Sequence, residues 1–163
     1  MRQLRALFSF SQLEESQSVP PYFGDVWLPD LQVMAAREKP GASAGLYLAA
    51  KGGHNAESHN HNDVGQFLLY LDGEPVLIDP GVEEYTSKTF GSNRYALWTM
   101  QSAYHNLPTV NGCLQEAGRN FKAIGVHYQA SEDRAELSLQ LEDAYPQAAG
   151  VARWQRRIAL CRT

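Results

Sequence analysis

Four of the five histidines fall in two short segments of the chain, and an aspartate stands between these segments. Residues 53–63 hold three histidines, and the second segment contains His105. Asp79 directly follows an apolar run, where a carboxylate needs a partner or a metal because burying an unpaired charge is costly. Imidazole and carboxylate groups suit zinc and other divalent transition metals. These residue types therefore predict a metal site, acid–base chemistry or both.

His59 and His61 are separated by one residue, and the local backbone decides what they can do together. On a regular strand, residues two apart point to the same face, so both side chains could bind one metal. Separate functions require a loop or an irregular turn, and the composition of residues 58–63 suits one. By contrast, we expect His54 to be an ordinary polar position and His127 to lie on the solvated face of an alternating strand.

Short strands must position these residues, because runs of strand-like sequence follow one another from residue 31 onward. Asp72-Gly73 lies between two such runs and predicts a hairpin. Residues 67–71 and 76–78 are apolar on both faces, which predicts central strands buried on both sides. The pattern favours an all-β sandwich or barrel. Strands are predicted at residues 31–37, 45–50, 64–71, 75–79, 124–130, 135–142 and 153–161.

The two ends of the chain differ from its middle in organisation. Residues 1–30 lack clear periodicity and are interpreted as a linker or as the end of a preceding helical domain, with a short helix over residues 2–13. Residues 31–163 form the predicted domain, whose last strand is cut off at the C-terminus. Residues 85–104 are the least regular part and are interpreted as a long functional loop or a short helix.

Composition excludes several classes of protein. The 163 residues are 44% hydrophobic and 20% charged, which excludes a disordered chain, a collagen and a long coiled coil. A net charge of −4 gives no electrostatic footprint for nucleic acid. No apolar run is long enough to span a bilayer, so no membrane partner is expected, and no signal peptide is recognised. Cys113 and Cys161 are interpreted as two unrelated thiols.

Three segments together resemble the heparinase II/III-like family of polysaccharide lyases. They are residues 54–67, residues 75–81 with Ile-Asp-Pro-Gly, and residues 102–106 with His-Asn. The resemblance spans roughly residues 26–112 and is specific only as a combination. It implies that this chain is the C-terminal β-sandwich of a larger enzyme whose N-terminal helical toroid is missing here. It also implies an acidic polysaccharide or oligosaccharide substrate, as in glycosaminoglycan degradation, and a periplasmic or secreted parent enzyme.

The resemblance also assigns roles to individual positions. His59 matches the catalytic histidine of the family, and His61, Asp79 and His105 match its zinc ligands. The resemblance implies that the zinc is structural and ties together the loop that presents the histidine. The implied reaction is β-elimination in uronic-acid-containing chains, for which the toroid supplies a tyrosine and further groups. We therefore expect little or no lyase activity from this chain alone, and the sequence leaves a homodimer open.

The net charge of −4 does not match a polyanionic substrate, because such a substrate prefers a basic cleft. Lys51, Arg94, Arg119 and Lys122 are candidate contacts, although a solvated surface position is preferred for each. Tyr85, Tyr95 and Tyr104 could stack on sugars, and packing is preferred for two of the three. The toroid would then supply the basic residues, or the substrate would carry less charge than heparin.

Two other functions remain open. A cupin-like metalloenzyme also uses His-x-His on a β-barrel, but it needs a glutamate shortly after, and residues 64–66 contain none. Asp79 comes too late in the chain for that role. The other alternative is a zinc-stabilised sandwich that binds carbohydrate or serves structure without catalysis, and glycan binding without turnover would distinguish it from a lyase.

Overall fold

The computed structural model describes residues 21–162 of the chain. The helix predicted over residues 2–13 lies outside them. The described residues form an all-β structure, as predicted, and none of their helices is long and apolar enough to cross a membrane. The strands are β1 Asp25–Leu28, β2 Val33–Arg37, β3 Leu46–Lys51, β4 His54–Asn55, β5 Phe67–Leu71, β6 Glu74–Leu77, β7 Gly118–Lys122, β8 Ile124–Ala130, β9 Arg134–Gln140 and β10 Gln155–Cys161.

One layer of the fold is a five-stranded antiparallel sheet with strand order β1-β2-β3-β5-β6. The predicted hairpin joins β5 to β6 through Asp72 and Gly73, whose φ angles are 53° and 84°. Positive φ at both central residues is the geometry of a type I′ turn, which explains the Asp-Gly sequence. The turn sets the register that brings the end of β6 beside β5.

The second layer is a three-stranded antiparallel sheet of order β10-β9-β8. Alternate side chains of the two sheets meet in one core. The rings of Trp27 in β1 and Tyr128 in β8 stack across the layers with centroids 5.0 Å apart. These contacts confirm the sandwich. Its buried apolar strand residues are Met34, Ala36, Leu48, Ala50, Ala135, Leu137, Leu139 and Leu160.

The connections between the layers carry a two-stranded ribbon of β4 and β7 and several single turns of 3₁₀ helix. Three of these turns, Arg94–Ala96, Trp98–Met100 and Ser102–Tyr104, follow one another in the segment predicted to be irregular. They lead directly to His105. The two cysteines carry free thiols, as expected.

The prediction that residues 76–78 form a central strand is wrong. The strand β6 lies at the edge of the five-stranded sheet, and all four of its residues are exposed. Val76 and Ile78 expose 53% and 52% of their surface. A short apolar run is compatible with a buried strand, but it does not show whether the strand has one or two neighbouring strands in the sheet.

Two short strands, β4 and β7, and the first strand β1 were not predicted. β1 pairs with β2 along its whole length, so the sheet includes residues that precede Leu31. The boundary predicted at residue 31 stays a prediction. β4 has only two residues, which is too short to show any periodicity.

Candidate metal centre and an adjoining histidine cleft

Three residues from distant parts of the sequence meet at one end of the five-stranded sheet. Each of His61, Asp79 and His105 offers one ligand atom, and these atoms all lie within 4.8 Å of one another. His61 lies in the loop between β4 and β5, and Asp79 follows the end of β6. His105 comes directly after the last of the three consecutive 3₁₀ turns. The hairpin and the turns therefore bring together the residues predicted as metal ligands.

Asp79 is held in a fixed orientation and stays ionised. Its Oδ1 accepts a hydrogen bond from the backbone N–H of Gly81 at 2.7 Å, and its Oδ2 accepts one from Gln66 Nε2 at 2.6 Å. Oδ2 also lies 3.2 Å from His105 Nδ1. Burial by itself raises the pKa of Asp79, but these polar contacts outweigh it and lower the pKa to about 2. The carboxylate is charged at neutral pH and can bind a cation.

The surroundings of the two imidazoles fit a metal ion. The side chain of His105 is fully buried, yet among the described residues neither of its ring nitrogens has a hydrogen-bond partner of acceptable geometry. Buried polar atoms normally have a partner, and a metal would supply one. Burial is the main cause that lowers the pKa of His61 below its usual 6.5, and nearby Asp79 and Asp63 only partly oppose it. A neutral imidazole is the form that binds a metal.

The backbone around this site is braced by side chains that sequence analysis missed. Asn106 Nδ2 donates to the carbonyl oxygens of Phe67 at 2.8 Å and Ile78 at 3.2 Å. These bonds join the segments of Gln66, Asp79 and His105, since each partner is next to one of them in sequence. Asn106 and Gln66 both lie inside the motif segments, but residue type alone does not distinguish a brace from a surface amide.

A half-buried arginine and a buried glutamine hold the loop that leads into β5. Arg156 Nη1 donates to the carbonyl oxygens of Gly65 at 2.7 Å and Asn106 at 3.1 Å. The Gln115 amide bonds both backbone groups of Val64, donating at 2.8 Å and accepting at 3.0 Å. This pairing imitates one step of a β-ladder. The loop that carries the histidines is therefore fixed at its C-terminal end.

His59 lies outside the three-residue group although it is separated from His61 by one residue. It sits in a turn with φ of 59°, so the regular alternation of a strand is broken there. Its exposed ring meets the ring of Phe90 edge to face, with centroids 5.3 Å apart. The two residues line an open cleft of about 260 Å³ together with Arg94 and Tyr95. The predicted turn is thus present, and it separates the two histidines.

Four other polar residues proposed from the sequence have local structural partners or face solvent. Lys51 Nζ lies 2.8 Å from Asp63 Oδ1, and the side chains of both are largely buried. His54 Nδ1 accepts from the backbone N–H of Ala56 at 3.1 Å. Arg94 bonds backbone carbonyls, and His127 is exposed on β8 as expected.

The family is decided by the sequence profile described as "Heparinase II/III-like, C-terminal", which matches residues 28–162. The chain belongs to this family. The match covers most of the described residues, including His59 and all three residues of the candidate metal site. Among curated proteins no match was found.

Solved structures show the same fold. A heparan sulfate lyase HepC from Pedobacter heparinus and a mutant of it each superpose with a TM-score of 0.62 at 17% identity, over 96% of this chain and 23% of theirs. A heparinase III with methylated lysines superposes with a TM-score of 0.61 at 16% identity, over 98% of this chain and 25% of its own. This chain therefore spans about a quarter of the length of these proteins.

Proposed function

We propose that this chain is the β-sandwich of a polysaccharide lyase that cleaves uronic-acid-containing chains by β-elimination. The observation that carries the proposal is the division of the motif into two places. His61, Asp79 and His105 form a compact group, while His59 faces an open cleft beside Phe90. The family membership and the fold of the lyase structures support this assignment.

The reaction explains why a histidine belongs in the cleft. A base removes the proton from the uronate carbon next to the carboxylate, and an acid protonates the departing glycosidic oxygen. His59 serves as one of these groups, since an imidazole can both accept and donate a proton and this side chain is exposed. Neutralising the uronate carboxylate and supplying the second proton-transfer group fall to residues of the proposed helical toroid, which is also the main partner of this chain.

His61, Asp79 and His105 would hold a zinc ion, which supplies a cross-link between three chain segments. Two nitrogens and one oxygen are ligand atoms that zinc accepts. Gln66 and the Gly81 N–H keep the Asp79 carboxylate oriented toward the two imidazoles. Binding to a metal shared with Asp79 and His105 would keep His61 in place. Because His59 is two residues before His61, its segment would be held as well.

The substrate and location follow from the same proposal. The substrate is an acidic polysaccharide, and the parent enzyme works in the periplasm or outside the cell. The described arginine and lysine of the site region, Arg94 and Lys51, are engaged in internal contacts. The toroid therefore supplies most of the basic surface that a polyanion requires, beside Arg119 and Lys122, which are exposed on β7. Self-association into a homodimer stays an open prediction.

The test uses the complete enzyme that contains this domain and a panel of uronate-containing polysaccharides. We expect an unsaturated uronate product, seen by its ultraviolet absorbance, and a rate at least about 100-fold lower in His59→Ala, in line with loss of a general acid or base. The 163-residue chain alone should give no product. Binding of the glycans without any product from the complete enzyme would contradict the proposal and favour a binding domain.

A further inference from the structure

The backbone at His59 is unusual and needs support. Its φ of 59° lies in the left-handed region, which is unfavourable for a residue with a Cβ. Such a conformation persists where the surrounding structure imposes it, and it occurs often at functional sites. The residues around His59 should therefore include the groups that impose it.

We propose that Arg94 and Tyr95 are positioning residues that clamp Asn60 and thereby fix His59 in the cleft. The proposal rests on the proposed role of His59 as acid or base. It concerns neither the metal ligands nor a contact with substrate. The clamp is defined here as the side chains of Arg94 and Tyr95 with Asn60 between them.

Arg94 reaches both sides of the cleft with one guanidinium group. Nε and Nη2 donate to the carbonyl oxygen of Asn60 at 3.2 and 2.9 Å. Nη1 donates to the carbonyl oxygen of Thr89 at 2.5 Å. Asn60 is next to His59 in sequence and Thr89 is next to Phe90. Arg94 therefore ties together the two backbone segments whose rings meet edge to face.

Tyr95 completes the clamp from the same 3₁₀ turn. Its hydroxyl donates to Asn60 Oδ1 at 2.9 Å, and Asn60 Nδ2 donates to the carbonyl oxygen of His61 at 2.9 Å. Asn60 is only 8% exposed, so its carbonyl and its amide are both held in a buried position. A rotation of the backbone at His59 would break several of these bonds at once.

The same bonds commit three of the five N–H groups of Arg94 to the backbone, which favours a positioning role over a role as receptor for the uronate carboxylate. Each of its three nitrogens already donates to a backbone carbonyl. Its side chain is half-buried, and its contact with the face of Phe90 is long, with the guanidinium carbon 5.9 Å from the ring centroid. Arg94 therefore acts through His59 and Phe90.

The experiment is a double-mutant cycle in the complete enzyme. Arg94→Lys keeps the positive charge but cannot donate to the carbonyl oxygens of Asn60 and Thr89 with one planar group. Tyr95→Phe removes only the hydroxyl. We expect each to lower kcat by at least about tenfold, as small displacements of a catalytic group do, while KM stays within about twofold. In the His59→Ala background the same changes should not lower the residual rate further, because a residue that acts through His59 has nothing left to position.

Arg153→Lys is the matched control, since Arg153 is exposed and makes no hydrogen bond or ion pair within residues 21–162. It should leave kcat and KM unchanged, and zinc content should be unchanged in all variants. Equal losses of rate from Arg94→Lys in the wild-type and His59→Ala backgrounds would overturn the proposal. An unchanged kcat in both Arg94→Lys and Tyr95→Phe would overturn it as well.

A second measurement on the 163-residue chain separates this inference from the lyase proposal. Loss of hydrogen bonds to a charged group should speed amide hydrogen exchange in the segment 60–62, where the N–H groups of Asn60 and Asn62 donate to backbone carbonyls, at least about tenfold in Arg94→Lys. A complete enzyme that forms no unsaturated product would contradict the proposed function. Unchanged exchange in this segment would contradict the clamp, whatever the enzyme assay shows.

Discussion

At the scale of single residues, a separation of one residue places two histidines in different surroundings. His61 is half-buried beside Asp79 and His105, and its ring centroid lies 5.2 Å from that of His105. His59 is exposed, and its positive φ turns the chain between them. The polar composition of the segment predicts a turn there, but it does not show which of the two imidazole rings lies beside Asp79 and His105.

The titration of His61 gives a prediction for the metal-free protein. Its pKa is lower in the folded state than the usual 6.5, so the unfolded state takes up the proton first. The resulting contribution to stability is fully present above pH 6.5 and is lost as the pH falls through the lowered pKa. With chelator present, urea unfolding should give a free energy that falls from about pH 7 to 5, and more steeply than in His61→Gln. Equal slopes in the two proteins would contradict this.

Gln66 provides a test of how Asp79 is oriented. Its amide donates to Asp79 Oδ2 at 2.6 Å and is 5% exposed. Groups that orient a ligand typically contribute 10–100-fold to metal affinity, so Gln66→Met should weaken zinc binding by about that factor. Competition with a chromophoric chelator measures the change. Gln129→Met, at an exposed position of β8, is the control, and an equal affinity in the two variants would contradict the role of Gln66.

At the scale of elements, the site depends on connections more than on strands. The loop from β4 to β5 carries both histidines of interest, the β5–β6 hairpin delivers Asp79, and the 3₁₀ turns deliver His105. Asn55 and Val64, near the two ends of the loop, both bond the Gln115 amide. A single buried side chain thus sets the ends of the loop relative to each other.

Gln115→Met should lower the stability of the whole chain. The change keeps the side-chain volume but removes the Gln115 amide. The N–H and C=O of Val64 and the side-chain amide of Asn55 each lose a hydrogen bond, and all of them are buried. We expect a loss of at least about 2 kcal/mol in the free energy of unfolding, from the cost of unsatisfied buried polar groups. Urea unfolding measures it, with exposed Gln147→Met as the control. A difference within error of the control would contradict the bracing role.

The success of the sequence at this scale depended on periodicity. Alternation predicted β8 at residues 124–130 and the buried Leu137 and Leu139 of β9, because one face of each strand packs against the other sheet. The Asp-Gly turn was equally clear. The edge position of β6 was missed because strand order is a long-range property. Gln66, Asn106 and Gln115 were missed because only the folded chain reveals which buried groups their amides satisfy.

At the scale of the whole molecule, the candidate metal site and the cleft beside His59 are both formed by the connections between strands of the two-sheet sandwich. The candidate metal site lies where the five-stranded sheet, the loop between β4 and β5 and the 3₁₀ turns meet. This chain spans about a quarter of the solved lyases that it resembles, so most of a cleft for a polymer must come from elsewhere in such proteins. In the proposed function, the domain supplies one proton-transfer group, His59, and a support for it.

The central claim is that one short segment divides metal binding from catalysis, and the zinc content of purified variants tests it most directly. Elemental analysis of the 163-residue chain should give about one zinc per chain in the wild type. His61→Ala, Asp79→Ala and His105→Ala should lose the zinc, and His59→Ala should retain it. Retention of zinc in all four variants, or its loss from His59→Ala together with the other three, would contradict the account.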